Sequence, residues 1–144
     1  MKAILMTLLL SMAPISEVRG GIPYAMSAGI PYPMHFLMPM FANMLVVPIL
    51  LFMVKPLFSF LRRHHVFEKW ISAYEKRASR KMDKYAAYKK WGLFLFVAIP
   101  LPTTGVYTGV VASILGGIKA REAMLPLLAG VLVASSLTYM AASG

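Results

Sequence analysis

The sequence predicts an all-α integral membrane fold, and three observations carry that prediction. The chain has 144 residues, 59% hydrophobic and 14% charged, too few polar side chains to coat a soluble domain. Its basic charge is gathered in one block, since the segment from Arg62 to Lys90 holds ten of the 15 Lys and Arg residues and three of the five acids. Long apolar stretches flank this block on both sides, as membrane segments flank an orientation signal. A net charge of +10 also suits nucleic acid, but a segment tethered at both ends by membrane spans argues against that partner. The absence of cysteine excludes disulfides, thiolate metal sites and cysteine nucleophiles.

The elements follow in chain order. Met1 to Phe36 contains Pro14, Pro23, Pro31 and Pro33 together with Glu17 and Arg19, so it reads as two short arms around a break. Lys2, the apolar run Ala3 to Leu10 and the small residues Ser11 and Ala13 also have the outline of a secretory signal. Pro14 after the cut and the continuing apolar sequence favour its retention as a hairpin arm. Leu37 to Val54 is 18 residues without a charge, long enough to span, with Asn43 its lone amide and Lys55 placed to snorkel. Pro39 and Pro48 are expected as kinks covered by neighbouring helices. Residues 62–90 place Phe67, Ile71, Tyr74, Ala78, Met82 and Tyr85 at helical steps among Lys and Arg, a basic amphipathic helix suited to the inner leaflet.

Trp91 to Ile118 is again apolar but is split by Pro100-Leu101-Pro102-Thr103-Thr104-Gly105, and Ala123 to Ala142 is a second uncharged span of 20 residues. Arms of about 9 to 13 residues rise roughly 14 to 20 Å, half a bilayer, which is the length of a re-entrant hairpin. If both broken regions return to their starting side, residues 62–90, Lys119 and Arg121 share one face, which the positive-inside rule makes cytoplasmic. The expected organisation is a single membrane domain over 1–144, with a first hairpin-plus-helix repeat at 1–61, the linker at 62–90 and a second, inverted repeat at 91–144. Small residues echo this, as Gly21, Ala25 and Gly29 in one repeat and Gly105, Gly109, Ser113 and Gly117 in the other.

Two segments carry the candidate chemistry. Glu17 and Arg19 stand in an apolar context where each charge is costly without a partner or a hydrated cavity, and such charges mark transport pathways. Gly20 and Gly21 are expected to turn backbone amides toward a ligand in an unwound loop, with Pro23 opening the next arm. A structural lock between Glu17 and Arg19 is the alternative. The second segment offers Pro100, Pro102, Thr103, Thr104, Gly105 and Tyr107, that is, hydroxyls, carbonyls freed by proline and a helix N-terminus. The two breaks are expected to meet in one site, with proton binding on Glu17, anion or dipole recognition by Arg19 and the threonines as polar lining. His64 and His65 read as interfacial residues, and the twelve methionines read as adaptable packing more than as soft-metal ligands. His35 is the one histidine with a possible place near Glu17. No nucleophile–base cluster is evident, so no enzyme activity, cofactor or metal site is expected.

The segment SEVRGGIP followed, after a basic loop, by GLFLFVAIPLPTTGVYTG resembles the small multidrug export protein family of prokaryotic membrane proteins, over most of the chain. That resemblance implies drug export. The paired breaks are also similar in architecture to the DedA, or VTT-domain, proteins, which would imply proton-linked handling of lipid phosphates. Those proteins are longer, and the second break here lacks their additional acidic and arginine positions. The expectation is a multi-pass transporter of the inner membrane, homodimeric because four short elements enclose little substrate path, exporting amphiphiles in exchange for protons. Flipping of lipid or polyprenyl phosphates and a non-transporting scaffold are the alternatives, and membrane lipids and protons are the expected partners.

Overall fold

The structure, a computed structural model, describes residues 1–64, 69, 72, 88–100 and 104–144. All regular elements among them are helices: α1 (Lys2–Met12), α2 (Glu17–Ser27), α3 (Met34–Arg63), α4 over residues 88–98, α5 (Val106–Leu115) and α6 (Ala120–Ser143). Most of the basic linker, Pro102 and Thr103 lie outside the described residues.

Local sequence explains where the helices stop. Ala13 is extended, with φ −70 and ψ 140, because the ring of Pro14 disfavours helical geometry in the residue before it. α2 and α5 end alike. Gly29 at φ +75 and Gly117 at φ +71 sit where the chain turns left-handed, and the next residues reach back across the turn. Ile30 N–H donates to the Ala25 carbonyl at 3.1 Å and Ile118 N–H to the Ser113 carbonyl at 2.9 Å. This is the Schellman closure that glycine favours.

Two helices, Met34–Val54 within α3 and the whole of α6, are long and apolar enough to cross a membrane. In the most apolar 18 residues of each, only 39% are buried inside the protein. Phe41, Leu45, Phe52 and Met53 of α3 and Leu125, Leu132 and Met140 of α6 face outward, an apolar exterior that lipid can solvate and water cannot. Both helices extend beyond the stretches predicted, α3 running from Met34 to Arg63 with Pro56 inside it and α6 from Ala120 to Ser143.

The core lies between these spans and the shorter helices. Val46, Val47 and Leu51 of α3 pack with Val97 of α4, Val106 and Val110 of α5 and Leu127 and Val131 of α6. Val18 and Ile22 of α2 form a smaller cluster with Ala134. Backbones approach closely at two glycines, since a Cβ on Gly109 or Gly130 would lie 2.7 Å from atoms of Val97. The small-residue series therefore divides: Gly21, Ala25, Gly105, Gly109 and Ser113 are buried, whereas Gly29 and Gly117 terminate helices.

One expectation needs correction. The first break, expected over Pro14 to Pro23, is confined to residues 13–16, and Gly20, Gly21 and Pro23, expected to unwind and to open the next arm, lie inside α2. The glycines are used for contact. A Cβ on Gly20 would meet Ser16 Oγ at 2.6 Å, and one on Gly21 would meet Ser11 Oγ at 2.0 Å and Pro39 Cβ at 3.2 Å. Pro23 is tolerated as the seventh residue of α2 because it stands on the exposed side, facing a cavity.

Candidate substrate and ion site

Glu17 opens α2 with φ +50, a left-handed conformation that a residue with a Cβ enters at a cost of about 1 to 2 kcal/mol. The turn sends its side chain inward, where the residue is 5% exposed. Its Oε2 accepts a hydrogen bond from Val106 N–H at 3.3 Å, so the carboxylate occupies the N-terminus of α5, where free amides favour an anion. The seat is shaped for it. A Cβ on Gly105 would stand 2.5 Å from Oε2 and 2.6 Å from Oε1, so only glycine leaves room for the carboxylate. The side chain of Asn43, itself 1% exposed, also stands near the Glu17 carboxylate, and its Oδ1 is buried without a hydrogen-bond partner.

Arg19 points to the same break but to a different group. Its Nη2 donates to the Thr104 carbonyl and, at 3.1 Å, to Thr104 Oγ1. Thr104 Oγ1 in turn donates to the Ile99 carbonyl at 2.6 Å, bridging the end of α4 to the start of α5. Tyr107 completes the exchange in reverse, since its hydroxyl donates to the carbonyl of Met12 at the end of α1. The first break thus serves the second through Glu17 and Arg19, and the second serves the first through Tyr107.

Arg19, Pro23 and Pro100 line a cavity of about 600 Å³ together with Met26 of α2 and Leu137 and Thr138 of α6. Thr138 Oγ1 is buried and without a hydrogen-bond partner. Arg19 carries five N–H donors, and the bonds to Thr104 all leave from Nη2, so the guanidinium can turn other donors toward the cavity.

Of the predicted site residues, the structure brings together Glu17, Arg19, Thr104, Gly105 and Tyr107, and it sets Pro23 and Pro100 on the adjoining cavity wall. Gly20 and Gly21 support α2 from behind and present no ring of free amides. His35 belongs to another cluster, with its ring bonded through Nδ1 to the Ile30 carbonyl at 2.8 Å and stacked 5.5 Å from Tyr139. Sequence reasoning missed the roles of Asn43 and Thr138. Asn43 had a visible signal as the lone amide of an apolar span, but nothing in the spacing says which helix it faces. Among the described residues no three His, Asp or Glu side chains gather as a metal site would require.

No curated protein and no solved structure matches the chain. A protein family does: residues 17–137 match the one described as "Putative small multi-drug export protein". The match begins at Glu17 itself, just after the first break, and runs through the second break and most of α6, so the buried carboxylate and its seat both fall within it. This chain is a member of that family.

Proposed function

We propose that the protein is a proton-coupled secondary transporter of the inner membrane that exports amphiphilic small molecules. The observation that carries this reading is Glu17, a titratable carboxylate that is nearly fully buried, held in a left-handed backbone turn and seated at a helix N-terminus, two residues before Arg19, which lines an open cavity. Buried acids in membranes mark ion pathways, and strain concentrates where function requires it. A scaffold subunit has no use for such a group.

In this reading α1–α2 and α4–α5 are re-entrant hairpins, since 11- and 10-residue helices reach about half a bilayer. The breaks meet at the midplane. The halves are inverted repeats, the basic linker is cytoplasmic, and a second copy closes the substrate path. Glu17 alternates between two partner sets. Ionised, it accepts from Val106 N–H; protonated, it can donate to the unsatisfied Asn43 Oδ1. That shift releases the α5 N-terminus, and cargo in the neighbouring cavity senses it through Arg19.

Arg19 favours a second reading, in which a lipid phosphate is the cargo, because a guanidinium on a cavity wall offers the planar fork that phosphate accepts. Purified protein in liposomes separates the two. Efflux of a cationic amphiphile driven by a pH gradient is expected for the wild type, and Glu17→Gln should leave residual flux that ignores the gradient. Unchanged coupling in that variant removes Glu17 from the mechanism. Arg19→Lys should impair phosphate flipping sharply if phosphate is the cargo, and cost drug efflux little if it is not.

A further inference from the structure

A second cavity, of about 470 Å³, opens between α4 and the first turns of α6, away from Glu17. Its walls are Trp91, Phe94 and Leu125, and its rim carries Lys90, Arg121 and Glu122. Trp91 and Leu125 are 66% and 75% exposed, so this apolar trough opens outward along the side of the molecule. Its charged end adjoins the basic linker. The trough runs from there along the apolar face of α6, one of the two helices suited to crossing a membrane.

We propose that this trough is a binding site for an anionic phospholipid. An acyl chain would lie against Phe94 and Leu125, the indole of Trp91 would stand at the level of the ester groups, and the phosphate would rest between Lys90 and Arg121. The pairing follows from the chemistry of the wall. Lipid chains wet an apolar groove at no cost in desolvated polar groups, and cations at its mouth attract acidic headgroups. Two cations against one carboxylate leave the rim net positive. Glu122 opposes the phosphate and sets a limit on the preference, which therefore strengthens when Glu122 is neutralised. The neighbouring Lys89 is committed elsewhere, its Nζ donating to the Gly116 carbonyl at 3.0 Å, and this bond ties the start of α4 to the turn before α6. An occupied trough would add to that tie from the outside.

The sequence supplies its own reporter. Trp70 and Trp91 are the two tryptophans, so Trp70→Phe leaves Trp91 as the sole indole. The protein is reconstituted in phosphatidylcholine vesicles containing a fixed fraction of brominated phosphatidylglycerol, phosphatidylethanolamine or phosphatidylcholine, and Trp91 quenching is compared. Phosphatidylglycerol should quench several-fold more effectively than either zwitterionic lipid. Lys90→Gln and Arg121→Gln should each lower its relative affinity about fivefold, and Glu122→Gln should raise it. Lys119→Gln, an exposed cation off the trough wall, should change nothing. Equal quenching by all three lipids would overturn the proposal, as would a loss at Lys119 matching that at Arg121, which would mean diffuse surface charge. The readout is bound lipid, so it stands or falls independently of transport.

Discussion

With Glu17 set beside Gly105, Val18 falls on Val106, Gly21 on Gly109, Ala25 on Ser113 and Gly29 on Gly117. The correspondence extends to structure. Val18 and Val106 are both buried, as are Gly21 and Gly109, and both helices close at their glycine in the same Schellman turn. Ahead of each helix a hydroxyl staples the break, Ser16 Oγ donating to the Leu10 carbonyl and Thr104 Oγ1 to that of Ile99. The halves differ where the helices begin. One has a carboxylate at that point and the other a bare Cα, and the carboxylate rests on that Cα. The backbone differs there too, Glu17 being left-handed at φ +50 and Gly105 extended at φ 161 and ψ −170, and the charge of one half finds its seat in the other.

The largest effect is expected from disturbing that seat. Gly105→Ala inserts a Cβ 2.5 Å from the carboxylate oxygen, and since it is joined to backbone it cannot yield, so Glu17 must leave the α5 N-terminus. Proton-driven efflux in liposomes should fall on the order of a hundredfold, the scale of an ångström's misplacement at a working site, with helical content by circular dichroism unchanged. Glu17→Gly gives the two positions the same residue. It should abolish coupling with little change in unfolding midpoint, because relief of the positive φ, about 1 to 2 kcal/mol, offsets a lost charge-assisted hydrogen bond of similar size. Full efflux in Gly105→Ala would show that the contact has no part in transport.

Next in size is the exchange of donors between the breaks. Arg19→Gln removes the donor to the Thr104 carbonyl and its hydroxyl, while Tyr107→Phe removes the donor to the Met12 carbonyl. Each lost bond should lower stability by about 1 kcal/mol, and that to charged Arg19 by up to about 3 kcal/mol. The comparison sharpens in function. Tyr107→Phe should retain most efflux because its hydroxyl serves only the end of α1, whereas Arg19 also lines the cavity. A Tyr107→Phe variant as defective as Arg19→Gln would move the substrate path to the α1 side of α5.

How much of this was readable beforehand depends on the range of the forces involved. Both spans announced themselves, since an uninterrupted apolar run of that length has one inexpensive environment. The meeting of the two breaks followed from charge, because Glu17 and Arg19 needed partners and the second break had carbonyls and amides to give. The first break is shorter than the expected Pro14 to Pro23 because Gly20-Gly21 permits two opposite uses, unwinding and close packing. Choosing between them requires knowing that Ser11 and Ser16 lie behind α2. Gly105 and Asn43 were illegible as the seat of Glu17 for the same reason. Their contacts span the chain, and no local pattern encodes them.

The smallest effect concerns the helix ends, where the halves should behave as equals. Gly29 and Gly117 both hold positive φ, at +75 and +71, and a Cβ on Gly29 would meet nothing within 4 Å. Replacement by alanine therefore tests backbone conformation without steric crowding at that position. A side chain in the left-handed region costs roughly 1 kcal/mol, so Gly29→Ala and Gly117→Ala should each lower stability by about that amount, measured by denaturant titration in the same detergent. Because neither residue touches Glu17, Arg19 or the cavity, coupled efflux should be nearly unaffected in both. A loss of coupling in Gly117→Ala alone would mean that the α5 to α6 turn moves during the cycle while the α2 to α3 turn stays still, and the correspondence between the halves would then hold for the resting structure only.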